Sequence, residues 1–169
     1  MSQFKFNPEK TLEVLLYIIR NIENPDIYKC LKILYFSDKK NLENFGRFIS
    51  GDSYVAMKHG PVPSGAYDII KFIRGDGGFG TIDWETALEV KHNNLVPLRE
   101  PNLDFLSESD IESLEYSINE YGDLSFSDLK DLSHDEAYDS VDKNDMISIE
   151  AIASTLKDKD LIMDHLKEG

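Results

Sequence analysis

Asp38, His59 and His134 are the side chains of this sequence with the chemistry to hold a divalent metal or to move a proton, and they come from three separate stretches. Two imidazoles and a carboxylate could serve a metal-dependent hydrolase. The four histidines, His59, His92, His134 and His165, lack the His-Glu-x-x-His spacing that sets two ligands on one helix face. Such a site therefore exists only if the fold assembles it. Cys30 is the only cysteine. It lies in a helical apolar pattern, so it reads as a packing thiol, and a disulfide within the chain is excluded. Gly75-Asp76-Gly77-Gly78-Phe79-Gly80 matches the glycine spacing of a dinucleotide loop. That loop works between a strand and a helix N-terminus. Here the glycines follow a helical pattern and precede Thr81-Ile82-Asp83-Trp84, which does not read as a helix start, so a mobile loop is expected. No Gly-x-Ser-x-Gly elbow is present, and the run from Asp142 to Glu150 misses the offsets of a calcium loop. The residues point away from catalysis, and no cofactor is called for.

Asp38 asks a different question. It shares a helical stripe with Ile27, Leu31, Leu34, Leu42 and Phe45. A carboxylate there must find hydrogen-bond donors or a cation, or take up a proton. Lys58, His59 and the backbone amides of the following loop are the candidate partners. The expected role is to pin a stiff turn, Gly60-Pro61-Val62-Pro63, onto the helix. Backbone fixed by proline beside Lys58, His59 and Tyr67 loses little entropy on docking, which suits protein recognition.

The elements that must position these residues follow from capping and periodicity. Asn7-Pro8 opens a helix over 8–23, and Asp26 and Gly46 bracket a longer one. A strand is expected over 52–59, then a helix over 64–74 with Tyr67, Ile70 and Ile73 inward. Leu88–Lys91 and Leu95–Arg99, around Asn93-Asn94, form a hairpin that is expected to join the strand at 52–59. Ser107 with Asp110, and Ser125 with Asp128, read as capping boxes. The helices they open carry the stripes Ile111, Leu114, Ile118, Tyr121 and Phe126, Leu129, Leu132. Further helical patterns are Ile149, Ile152, Ala153, Leu156 and Leu161, Ile162, Leu166. The fold class is mainly α (α+β): a helical domain with a small antiparallel β element.

With 41% hydrophobic residues in 169, the chain can bury one core without staples. It lacks a run of roughly 20 apolar residues, and its start, MSQFKFNPEK, has no apolar signal core. A cytoplasmic location is expected, away from the membrane. The net charge is −14, and its placement is uneven. Residues 1–103 carry 13 Lys+Arg against 13 Asp+Glu, and residues 104–169 carry 5 against 19. Such a field repels nucleic acid and attracts basic partners.

Lys32-Ile33-Leu34-Tyr35-Phe36-Ser37-Asp38, Gly46-Arg47, Gly51-Asp52, Tyr54 through Pro63 and Tyr67 together resemble the Panacea domain. This is the SocA-like antitoxin family, which includes phage-associated GepA-like proteins. Leu132-Ser133-His134-Asp135-Glu136 resembles its later Ser/Thr-His-x-Glu element, with Tyr138 where the family tends to have Trp. The resemblance implies a domain over 1–140, extended by acidic helical residues 141–169. It implies neutralisation of a cognate toxin by protein contact, and in some relatives delivery of that toxin to a protease. Candidates for contact or for shaping the turn are Asp38, Arg47, Lys58, His59, Gly60, Pro61, Val62, Pro63, Tyr67 and His134.

Overall fold

The computed structural model describes residues 5–78 and 80–168. Phe79, inside the glycine stretch, and the first four residues lie outside them. The elements run α1 (Pro8–Ile19), α2 (Ile27–Phe45), β1 (Tyr54–Met57), β2 (Gly60–Pro63), α3 (Ser64–Arg74), α4 (Ile82–Ala87), β3 (Leu88–Lys91) and β4 (Asn94–Pro97). A short 3-10 turn at Leu103–Phe105 leads to α5 (Glu108–Tyr121), α6 (Phe126–Ser133), α7 (Glu136–Asp139), β5 (Met146–Ile147), α8 (Ile149–Ala153) and α9 (Lys159–Glu168). The mainly helical, α+β class expected from the sequence is the one observed.

Everything is arranged around α2. Asp26 caps it, Oδ1 accepting from the amides of Tyr28 at 2.9 Å and Lys29 at 3.1 Å, and Gly46 ends it in the left-handed conformation. Every residue from Cys30 to Asp38 is buried, a run longer than two helical turns. All faces of the helix are therefore covered. The covering comes from α1, α5, α6, α8, α9 and β2. Cys30 sits there as the packing thiol expected, and its burial pushes the thiol far above the ordinary range.

Several expectations are corrected. The segment Gly60–Pro63 is a strand and not a turn: it pairs antiparallel with β1 in the register Tyr54↔Pro63 to Met57↔Gly60. The turn is Lys58-His59. Pro61 and Pro63 fit because β2 is an edge strand in the order β2-β1-β5, where missing amides cost no ladder bonds on the open side. The hairpin β3–β4 does not join this sheet. It forms its own pair, turned at His92-Asn93, and docks on the α1–α2 connection through Ile27 N to Asn93 O at 2.7 Å and Leu95 N to Pro25 O at 2.9 Å. The third strand is instead β5, which pairs with Tyr54 and Val55 from a segment without a strand pattern.

Thr81 does precede a helix, α4, though its side chain makes no capping bond. The glycine stretch still follows a helix, α3, so it lacks the strand a dinucleotide loop requires. Helix α1 stops at Ile19, with Arg20 as its cap, short of residue 23. On α3 the fully buried positions are Ala66, Ile69 and Ile70, while Tyr67 and Ile73 are half-buried. Phe45, Leu132 and Leu161, assigned inward by periodicity, are exposed. The Ser107–Asp110 box is reciprocal, and Ser125 Oγ accepts from Asp128 N at 3.1 Å.

Beyond residue 140, Ile147, Ile152, Ala153 and Ile162 are buried in the same core as α2. Ile152→Ala should therefore destabilise the chain by about 2–5 kcal/mol, as for other fully buried aliphatics. Urea unfolding measures it. A loss below about 0.5 kcal/mol, typical of surface sites, would mean that α8 is not part of the cooperative core.

Candidate functional site

Of the polar side chains of α2 that are enclosed with the apolar ones, Ser37 bonds back to Ile33 O at 2.8 Å, and Lys32, Asp38 and Asn41 each tie down a different segment. Asn41 Nδ2 donates to Arg47 O at 2.8 Å, and its Oδ1 accepts from Ser113 Oγ at 2.9 Å. Asp38 accepts from Ile49 N at 2.8 Å and from the Tyr54 hydroxyl at 2.6 Å. Burial pushes the Asp38 carboxyl up to about 7, against the downward pull of those two donors. Of the partners anticipated for Asp38, the loop amide is correct, and Lys58 and His59 are not. Asp38 consequently does not pin Gly60–Pro63. That task falls to Lys32, whose Nζ donates to Pro61 O at 2.9 Å.

Lys32 is 2% exposed, and burial lowers its amine to about 7, with Asp135 pulling up and Lys130 pushing further down. Gly60 explains how the ammonium fits. Its φ is +117°, and a Cβ there would lie 2.6 Å from Lys32 Nζ and 2.7 Å from Ser133 Oγ. His134 stands on the same side, stacked on Tyr138 at 4.4 Å between ring centres, with its Nε2 buried and unpartnered among the described residues. Tyr138 donates its hydroxyl to Met57 O at 2.6 Å. Asp135 closes the arrangement by capping α7 and accepting from Tyr35 at 2.7 Å and Lys39 at 2.9 Å.

Above this framework lies a pocket of about 190 Å³ lined by Tyr28, Leu31, Lys32, Met57, Lys58, His59, Val62, Tyr67 and Phe126. Tyr28 is flanked by Tyr67 at 6.4 Å and Phe126 at 6.2 Å, and the exposed His59 ring meets Phe126 edge-on at 6.0 Å. Of the residues singled out in the sequence, Lys58, His59, Val62 and Tyr67 line this pocket, and Gly60, Pro61, Pro63 and His134 support or flank its turn. Asp38 and Arg47 lie elsewhere. Arg47 is at the far end of α2, its guanidinium 3.9 Å from the buried Asp110.

Asp38, His59 and His134 do not form a metal-ligand set. Asp38 is enclosed with Tyr54, while His59 is exposed against Phe126. Among the described residues no three His, Cys, Asp or Glu side chains lie close enough to share an ion. The hydrolase alternative loses its site.

Residues 31–138 match the family described as antitoxin SocA-like, Panacea domain, well over half of the chain. The chain belongs to that family. No match was found among curated proteins or among solved structures. The Panacea span takes in most of α2, the β1–β2 pair, α3 and α6, and so nearly all of the pocket. It ends at Tyr138, before β5, α8 and α9. No helix among the described residues is long and apolar enough to cross a membrane.

Lys32, Tyr28 and Phe126 were missed as site residues. The signal was present for two of them: Tyr28, Lys32, Tyr35 and Lys39 recur at helical spacing and mark a second face of α2. Phe126 was taken as a plain core position.

Two outcomes test this geometry. Gly60→Ala forces a side chain into left-handed backbone and onto Lys32, and should cost about 1–3 kcal/mol in chemical denaturation. A neutral effect would show that the turn relaxes freely. For Lys32 the folded value is below the unfolded 10.5, so its contribution is present above pH 10.5 and is lost as pH falls through about 7. Stability should therefore rise between these values in the wild type, and Lys32→Met should abolish that rise. An unchanged pH profile would mean that Lys32 is solvated.

Proposed function

We propose that this protein is an antitoxin that neutralises a cognate toxin by direct contact, as one half of a cytoplasmic toxin–antitoxin pair. The observation that carries the reading is membership of the antitoxin SocA-like Panacea family across residues 31–138. The geometry supports it in two ways. The β1–β2 turn is held before any partner arrives, by Lys32 from below and by strand pairing, so docking costs little ordering entropy. Its Lys58 and His59 are exposed. They stand beside an aromatic cleft, the kind of surface that anchors protein contacts.

The exposed acids of α5, α6 and the segment beyond residue 138 supply a second, longer-ranged contribution. They draw a basic partner surface into encounter and raise its association rate more than its final affinity. The domain spans residues 1–140, with 141–169 as an acidic extension packed onto it. Asp38 and Arg47 act as organisers of the fold, and Lys58, His59 and Tyr67 as contact residues. Nothing in this reading requires a cofactor or catalysis.

Co-expression with the product of the adjacent gene tests it. Growth inhibited by that product should be restored by this chain, and the two should co-purify as a complex with the partner intact. Failure of both rescue and co-purification sinks the reading. Rescue accompanied by protease-dependent loss of the partner would replace masking with delivery for degradation.

A further inference from the structure

The pocket at the β1–β2 turn differs in charge from the rest of the molecule. Partial desolvation, followed by the charges of Lys130, Lys58 and Lys32, lowers the proton affinity of His59. Asp135 acts on Lys32, but it is already engaged by Lys39 at 2.9 Å and by the Tyr35 hydroxyl. On α3, Lys71 lies 5.0 Å from the centre of the Tyr67 ring and is shared with Asp68 at 3.2 Å. A cationic spot is thus set in a chain of net charge −14. Lys32 adds its charge as pH falls to about 7 and below, and because it is buried, salt screens that field less than that of a surface lysine.

The walls have the opposite character. Tyr28, Leu31, Met57, Val62, Tyr67 and Phe126 present aromatic and aliphatic surface. The volume, about 190 Å³, is below the roughly 300–1,000 Å³ of sites that enclose a whole small-molecule ligand. It suits one inserted side chain with the group next to it. A basic side chain would meet Lys58, Lys32 and Lys130. A purely apolar one would leave their charge without a partner.

We propose that this pocket receives an acidic side chain of a protein partner, an Asp or Glu adjacent to an aromatic or aliphatic residue. The apolar neighbour fills the Tyr28–Tyr67–Phe126 cleft, and the carboxylate meets Lys58 and the field of Lys32 and Lys130. This deepens the antitoxin reading and rests on it only for the identity of the molecule that presents the group. It also gives the contact a register. A partner drawn in by the acidic face through its basic surface must place one acid at the turn, and a misplaced partner would oppose like charges at both points.

The test uses the full chain and three capped dipeptides, acetyl-Glu-Phe-amide, acetyl-Gln-Phe-amide and acetyl-Lys-Phe-amide, followed by NMR. The Glu peptide should shift the signals of Lys58, His59, Gly60 and Phe126 and bind roughly tenfold tighter than the Gln peptide, the increment of one charge-assisted contact. The Lys peptide should bind weakest. Lys58→Glu should remove the Glu preference, and high salt should reduce it. Since Lys58 is exposed, that variant should keep its amide spectrum away from the turn. Equal shifts from all three peptides, shifts elsewhere, or none up to the solubility limit overturn the proposal. The dipeptides need no toxin, so failed growth rescue with a retained Glu preference removes the antitoxin role and leaves the pocket standing. Successful rescue without a Glu preference does the reverse.

Discussion

A helix enclosed on every side cannot leave a polar side chain unsatisfied, and three of the buried polar groups of α2 look outside the helix for partners. Asn41, Asp38 and Lys32 each reach a different piece of chain: the backbone at Arg47, the amide of Ile49 with the Tyr54 hydroxyl, and the carbonyl of Pro61. Burying these groups without partners would cost several kcal/mol in total. Together these bonds tie the connection after α2, β1 and β2 to the one helix. The position of the β1–β2 turn is thus set from the inside, by α2.

That constraint separates positioning from contact. Lys32 is buried and holds the turn, Asp38 is buried and holds Ile49 and Tyr54, and Lys58 and His59 stand on the turn in solvent. The pairing of Lys39 and Tyr35 with Asp135 extends the same logic to the end of α6 and to α7. His134 and Tyr138 are thereby brought against the turn beside Lys32. A small cationic, aromatic pocket results. Apart from Phe126, its lining comes from the charge-balanced part of the chain, and the strongly acidic residues come from 104–169. The family match ends before the last strand and the last two helices but takes in residues 104–138, with α5 and α6, where most of the acidic excess lies.

Helix boundaries were legible because capping is local. Asn7, Asp26, Ser107 and Ser125 each bond an amide within three residues, and Gly46 ends α2 by its own backbone freedom. Periodicity failed where a stripe was longer than the surface available to cover it. Phe45, Leu132 and Leu161 are spaced as core residues, but they remain exposed. The strand at Gly60–Pro63 was hidden because two prolines in four residues read as a turn. Only an edge strand, whose outer amides need no partner, admits them.

The sequence by itself determined the mainly helical class, the caps, the buried thiol, the uneven charge and, through the spacing from Lys32 to Tyr67, the family. Each of these depends on neighbours in the chain or on composition. The tertiary structure alone decided that Asp38 bonds Ile49 and Tyr54, that Lys32 holds Pro61, that β5 completes the sheet, and that Tyr28, Tyr67 and Phe126 share one cleft. These pairings join residues 11 to about 100 positions apart. Which of several satisfying partners is chosen depends on how the whole core closes around α2, and local pattern carries no record of that choice.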